Sequence, residues 1–570
     1  MPQTGILLFR KYFIRTIISL SLLVICSSLA CHASNYQYAD SAYIYHERSY
    51  DILKYTLAID LYSCYDPPFP KSFKAREVIT FRIDTSIRMI RLDASNGSLL
   101  IDSIAMAGVS FKHASDTLTI RLNRIYQKGE VVSIRICYRH KDTADHAFYA
   151  GDGYAFFDLP AEGARKVFPC RDIPSCKAKW ELTARVPVAV RLGSNGSLAD
   201  SVISGDTLYY HWISHDPMST YLMTLTSAKD YKIDIKYWHK PWHPMDSIPV
   251  RFYYQGSEHP APVENIIIPL ADFYSRMFGD YPFEKIGFAT LNWLFQWGGM
   301  ENQTMINLQK DGWHEILAAH EFSHQWFGDL ITCGTWADIW LNESFATYCE
   351  ALWLEHTKGY SAYKDHLATR ATGYLNNNPG FPIYNQGWLY HTPPVHLLYN
   401  AAVIYNKGAC TLHQLRYILG DSLFFRALHA YMTDTNFIYK NAVTADFISK
   451  VNRVSGKDYS WFFNEWVYSA NHPVYKNTYE ITKTARNKWT VSYEIKQTQS
   501  NAPFFRMPVE ILIGFNDQSD TLIKIDNTVN PQLFQGSFTK HPISCSFDPY
   551  ENILLKEAST EMGKLESKTK

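Results

Sequence analysis

The run His320-Glu321-Phe322-Ser323-His324, answered by Glu343 after eighteen intervening residues, constrains this chain more than any other feature. On a helix, residues i and i+4 share a face, so both imidazoles point the same way. Two imidazoles from one helix and a carboxylate from a second segment make a donor set suited to zinc with one coordination position left open. For Glu343 to reach the histidines, the two segments must run as antiparallel neighbours, and Gly328 between them is a helix stop. The pattern predicts a helix over 313–326 and a second over 335–356 carrying Asp338, Glu343 and Glu350. Glu321 stands beside the metal as a general base for an activated water. A zinc hydrolase, a peptidase first among them, is the expectation. The third carboxylate matters, because a bare match arises by chance; His314-Glu315 has Ala318 where a second histidine would stand.

At 570 residues the chain exceeds one core. Residues 45–240 read as an antiparallel β domain. Ile79, Phe81 and Ile83 alternate with polar neighbours, as do Val132, Ile134, Ile136 and Tyr138. The segment 237–244 holds Pro241 and Pro244 and reads as a boundary. Helical periodicity then governs a metal-binding domain over 245–472. Past Pro473 alternation returns at Trp489, Val491, Tyr493 and Ile495, and again from Val509 to Phe515, which predicts a small β-sandwich over 473–556. Residues 557–570 are polar and charged and read as a disordered tail. The fold class is thus multidomain α+β.

Lys+Arg and Asp+Glu both number 55, a balance that argues against a nucleic-acid partner. The N-terminus reads as an export signal over 1–33: Arg10, Lys11 and Arg15 flank a short apolar run from Ile17 to Ile25, too short for a comfortable membrane span. Two processing routes compete. Ala33 ends an ordinary signal peptide, or Cys31 carries the lipid of a bacterial lipoprotein; Ser28 fits the second route poorly, which favours plain secretion. The mature chain is then expected to be periplasmic or secreted, with no transmembrane span and with Cys31 as the alternative lipid anchor to a bacterial membrane. Outside the leader, eight cysteines form no dense framework and no CxxC pair, so disulfide pairing is not legible.

The block from His320 to Glu350, HEFSHQWFGDLITCGTWADIWLNESFATYCE, resembles the core of the aminopeptidase N family of zinc aminopeptidases, with Trp326, Gly328, Trp340-Leu341-Asn342-Glu343 and Phe345-Ala346 in place. The resemblance implies a thermolysin-like, mostly α catalytic domain, one zinc per chain on His320, His324 and Glu343, and Glu321 as base. Gly298-Gly299-Met300-Glu301-Asn302 resembles the family's exopeptidase motif, which implies a strand lying along the substrate and Glu301 on its free α-ammonium. Tyr405-Asn406-Lys407-Gly408 resembles the family's Tyr-x-Lys-Gly, which implies Tyr405 as the hydrogen-bond donor to the oxyanion; Tyr399 is its rival. Phe168 to Pro174 is similar to Phe-Pro-Cys-x-Asp-Glu-Pro, with Ile173 for the usual Glu, and Asp158 stands where the family often has a Gln near the substrate amine. Trp466-Val467-Tyr468 and His472-Pro473 match as well, with Asn471 where Gly is usual. About 100 residues follow Asn471, fewer than the large helical domain of many members needs, so the resemblance implies a short form with a more open cleft.

The leading expectation is therefore a zinc aminopeptidase acting on peptides with a free N-terminus. A decayed, peptide-binding scaffold on the same fold is opposed by the intact ligands and base. A zinc endopeptidase is opposed by the intact Glu301 motif.

Overall fold

The computed structural model describes residues 49–565. The leader, with Ala33 and Cys31, and the last five residues lie outside them. Among the described residues no helix is long and apolar enough to cross a membrane.

The N-terminal domain is built on a seven-stranded sheet. Period-two burial drives it: Phe73–Ile83 buries Phe73, Ala75, Glu77, Ile79, Phe81 and Ile83 on one face and turns the intervening residues outward. The expectation of an antiparallel domain needs one correction. Tyr50–Asp60 pairs antiparallel with Phe73–Ile83 but parallel with Lys177–Pro187, so the sheet is mixed. Alternation reports which face is buried and not the direction of the neighbour. A four-stranded and a three-stranded sheet complete the domain.

The boundary expected at 237–244 is also corrected. Lys232–His239 and Ser247–Tyr254 form an antiparallel hairpin at one edge of the catalytic domain's own five-stranded sheet. Pro241 and Pro244 turn that hairpin, and the domain's sheet already begins at Lys232. The sheet continues through Ile286–Thr290 and Ile306–Leu308 to its far edge, the two-residue strand Gly299–Met300. The expected exopeptidase segment is thus an edge strand with one side free of the ladder, the geometry by which an extended peptide can add to a sheet.

Helices cover this sheet, chiefly Glu315–Ser323, Trp340–Lys358, Tyr360–Asn377 and Gly408–Leu419, with a π-helical turn at Ala401–Lys407. The histidine helix is shorter than the 313–326 expected, because the chain leaves it at His324 through turns to Gly328. That residue has φ +140°, and a Cβ on it would lie 3.2 Å from His324 Nδ1, so glycine is required there on both counts. The second helix starts after a 3₁₀ turn at Trp336–Asp338, where Asp338 accepts hydrogen bonds from Thr444 N and Oγ1, both at 2.8 Å.

The C-terminal domain packs a four-stranded sheet on a three-stranded one, a small sandwich. Its last strand corrects the expected tail: Glu557–Met562 pairs parallel with Val474–Ala485. This strand is exposed on both faces, so its sequence carries no hydrophobic signal. It is held by backbone pairing and by the buried Ile553, Leu554 and Leu555 just before it.

Candidate active site

The histidine helix and the following helix place His320, His324 and Glu343 side by side, all buried. His320 Nε2 and His324 Nε2 are 3.2 Å apart, and Glu343 Oε2 lies 3.6 and 3.4 Å from them. Zinc bonds of roughly 2.0–2.1 Å at tetrahedral angles put donor atoms about 3.3 Å apart, so the spacing fits that ion. The protonation pattern fits too. His320 Nδ1 donates to Glu350 Oε1 at 2.8 Å, and His324 Nδ1 donates to Phe327 O at 2.9 Å. With both Nδ1 atoms holding the protons, both Nε2 lone pairs converge on one point with a carboxylate, an arrangement suited to a metal cation. Glu343 lies in the first turn of its helix, where the free N–H groups favour its anionic form.

Glu350 is the main residue that the sequence reading left without a role. It follows Glu343 by two helical turns, so its place on the same face was legible. Besides His320 it takes His366 Nε2 at 2.8 Å and Arg370 Nη2. Hydrogen bonds from His320 and His366 hold it charged, near about 2, against the cost of burial.

Glu321, His324 and Glu301 form a second cluster, with one ligand atom of each within 4.8 Å of the others. Burial pushes the Glu321 carboxyl up to about 7, opposed by the neighbouring histidines. Burial likewise raises Glu301, with the Glu343 charge adding to it. Glu301 is fixed through its backbone. Gln325, next to the ligand His324, donates from Nε2 to Glu301 O at 3.1 Å and accepts from Thr304 N at 2.9 Å. The N-terminal domain grips the same loop: Asn195 Nδ2 donates to Gln303 O at 2.7 Å, and the Thr304 hydroxyl accepts from Gly196 N at 2.7 Å. Lys285, fully buried, ties Ser194 O to Thr304 O at 2.7 and 2.8 Å.

His320, His324, Glu343, Glu301, Glu321 and Glu350 line a cavity of about 370 Å³. Gly298, Gly299, Met300 and Glu301 all reach it, as expected. Asn302 does not. Its side chain is buried and bonded to Leu222 O and Asn307, so it shapes the loop instead of touching substrate. Asp158 is also absent from the wall. Its Oδ2 accepts the indole N–H of Trp297 at 3.0 Å, and it is Trp297 that faces the cavity. Asp158 therefore positions an aromatic wall, while its Oδ1 is buried without a partner and burial pushes the carboxyl up to about 7. Two residues on, Pro160 does reach the cavity.

Tyr405 and its rival Tyr399 both line the cavity. Tyr405 stacks on His320, with centroids 6.0 Å apart and planes at 17°; Tyr399 meets Trp297 edge-on at 6.1 Å. Burial raises both phenols well above their usual range, which keeps them protonated as donors. Tyr405 sits in the π-helical turn, and the glycine closing its motif has a steric reason. Gly408 has ordinary helical angles, φ −60° and ψ −50°, but a Cβ there would come closer than 3.0 Å to both Oγ and Cβ of Ser344, the neighbour of Glu343.

Comparison with known proteins agrees with this geometry. Residues 48–222 match the peptidase M1 N-terminal domain, and residues 264–466 match the peptidase family M1 domain. The chain belongs to peptidase family M1. Its relatives include Aminopeptidase M1 of Arabidopsis thaliana, 28% identical over 55% of this chain and 36% of that one. Aminopeptidase 2 of Candida albicans is 23% identical over 75% and 49%. The chain thus spans about half or less of the length of these curated relatives. Among solved structures, the M1 zinc metallopeptidase of Deinococcus radiodurans is similar with TM-score 0.65 at 22% identity, over 75% of this chain and 95% of that one. Legionella pneumophila aminopeptidase A in complex with aspartic acid gives 0.72 at 18%, over 92% and 60%. At these identities the likeness is one of fold.

Proposed function

We propose that this M1 family member is a zinc-dependent aminopeptidase that removes N-terminal residues from peptides. One observation carries the reading: Glu301, on a sheet-edge loop held from three sides, brings a buried carboxylate within 4.8 Å of Glu321 and the metal ligand His324. A carboxylate so placed rewards a substrate whose free α-ammonium ends there, one residue from the reacting carbonyl. The relatives named aminopeptidases support the reading, as does a Deinococcus radiodurans M1 zinc metallopeptidase solved with a Tyr-Ser-Ala substrate.

When bound by His320, His324 and Glu343, zinc supplies a Lewis acid and lowers the pKa of water towards ~7. The chain's own groups do the rest. The free side of Gly299–Met300 offers backbone groups to the extended peptide. Glu321 takes a proton from the attacking water and passes it to the leaving amine. Tyr405, stacked beside His320, donates a hydrogen bond where negative charge develops on the carbonyl oxygen. Glu350 and Phe327 O hold the imidazoles in register. In Glu321→Gln, turnover of an aminoacyl-nitroanilide should fall by about 10²–10⁴-fold while zinc content stays at one per chain. Full turnover in that variant would refute Glu321 as base.

The leader supports export to the periplasm or the medium. Mass analysis of the mature N-terminus tests this: a chain starting after Ala33 fits plain secretion, a diacylglyceryl adduct on Cys31 a lipid anchor, and an intact Met1 neither.

A further inference from the structure

Four carboxylates line the cavity, from Glu301, Glu321, Glu343 and Glu350, and the one guanidinium or ammonium among the described lining residues is that of Arg370. Its surroundings give it a fixed aim. Arg370 lies on the helix Tyr360–Asn377. Its Nη2 donates to Glu350 Oε2, and its Nε lies 3.3 Å from His366 Nε2. Glu350 in turn holds His320 through its other oxygen, so the guanidinium is tied to the metal site by two consecutive bonds. Nη1 has no hydrogen-bond partner among the described residues, and the side chain is 31% exposed. Arg370 thus pays little ordering entropy when its free edge takes a ligand.

We propose that Nη1 of Arg370 binds the α-carboxylate of a short peptide whose ammonium rests on Glu301, making Arg370 a specificity-determining residue for di- or tripeptides with a free C-terminus. This rests on the aminopeptidase reading. A short peptide brings two end charges into the cavity. Glu301 receives the cation. The anion meets four carboxylates, and apart from the metal held by His320, His324 and Glu343 the one fixed cation in the described lining is Arg370. A cavity of about 370 Å³ is of a size for a peptide of a few residues.

The test compares Ala-Ala and Ala-Ala-Ala with their C-terminal amides, by kcat/KM, on the zinc-loaded full chain. The charge-assisted hydrogen bond should favour the acid over the amide by about tenfold at one of the two lengths. Arg370→Gln should bring that ratio to about one, through KM for the acid. His366→Asn loosens Glu350 but keeps the guanidinium, so it should lower acid and amide alike and leave the ratio in place. A wild-type ratio near one at both lengths overturns the proposal without any variant, as does a ratio that survives Arg370→Gln. If the amides are trimmed from the N-terminus while no acid preference exists, the aminopeptidase reading stands and this inference alone fails.

Discussion

Gly408→Ala perturbs the site through packing alone. Gly408 has helical angles that any residue adopts, so alanine should be favoured there by about 1 kcal/mol of helix propensity. The structure reverses that sign. The added methyl would fall closer than 3.0 Å to Oγ and Cβ of Ser344, whose hydroxyl donates to Ile404 O at 2.6 Å. Clearing the overlap means parting the π-helical turn that carries Tyr405 from the helix that carries Glu343, by on the order of 1 Å. Overpacking of this kind costs about 1–3 kcal/mol. At ~2–4 °C per kcal/mol for a domain of this size, the melting temperature should fall by roughly 2–12 °C. A displacement of about 1 Å at catalytic groups costs up to ~10²-fold, so kcat/KM on an aminoacyl-nitroanilide should fall by about 10–100-fold. Ser344→Gly supplies the counter-test. It removes Oγ and Cβ and leaves Ser344 Cα at 3.4 Å from the new methyl, an ordinary contact. The double variant should recover at least about 1 kcal/mol of the loss and most of the activity, a coupling in the range contacting residues show. A Gly408→Ala protein as stable and active as wild type, or a double variant no better than the single, would refute the steric argument.

Gln325→Leu leaves Glu301 O and Thr304 N without their partner, at about 1–3 kcal/mol for each buried group; KM for substrates with a free amine should rise about tenfold, and an unchanged KM would detach Gln325 from Glu301. Glu350→Ala frees His320 and should weaken zinc binding by about 10–100-fold in chelator competition, while equal affinity would show that His320 is oriented by something else. Lys285→Met removes the tie between Ser194 O and Thr304 O, so proteolysis or hydrogen exchange at residues 301–305 should quicken first; uniform destabilisation without a local change would count against that tie.

What the sequence revealed, and what it hid, follows from the range of the interactions. The i, i+4 histidines and the short link to Glu343 are local, and the chain has little freedom to place them otherwise. Glu350 was equally local, two turns from Glu343, and was missed because a carboxylate beside a ligand histidine carries no motif of its own. Asn195, Lys285 and Arg370 come from segments far from the histidine helix in the chain, and only the assembled fold shows that they meet the site. Asp158 illustrates the limit of alignment: Pro160, two residues on, reaches the cavity, but the Asp158 carboxylate turns away to accept the indole N–H of Trp297. The strand at Glu557–Met562 is invisible to hydrophobic pattern because both of its faces are exposed, and it is held by backbone pairing and by the buried Ile553, Leu554 and Leu555 before it. The hairpin at Pro241 and Pro244 shows that a strong turn signal marks a turn, not a domain boundary.

The most direct measurement is time-resolved mass spectrometry of one peptide and its N-acetylated twin, incubated with the metal-stripped protein before and after one equivalent of zinc. The account predicts no cleavage without zinc, then a ladder of single residues lost from the free N-terminus, and an acetylated twin left intact. Internal cleavage, or equal cleavage of the acetylated peptide, would contradict the role given to Glu301; cleavage by the stripped protein would contradict the metal site of His320, His324 and Glu343.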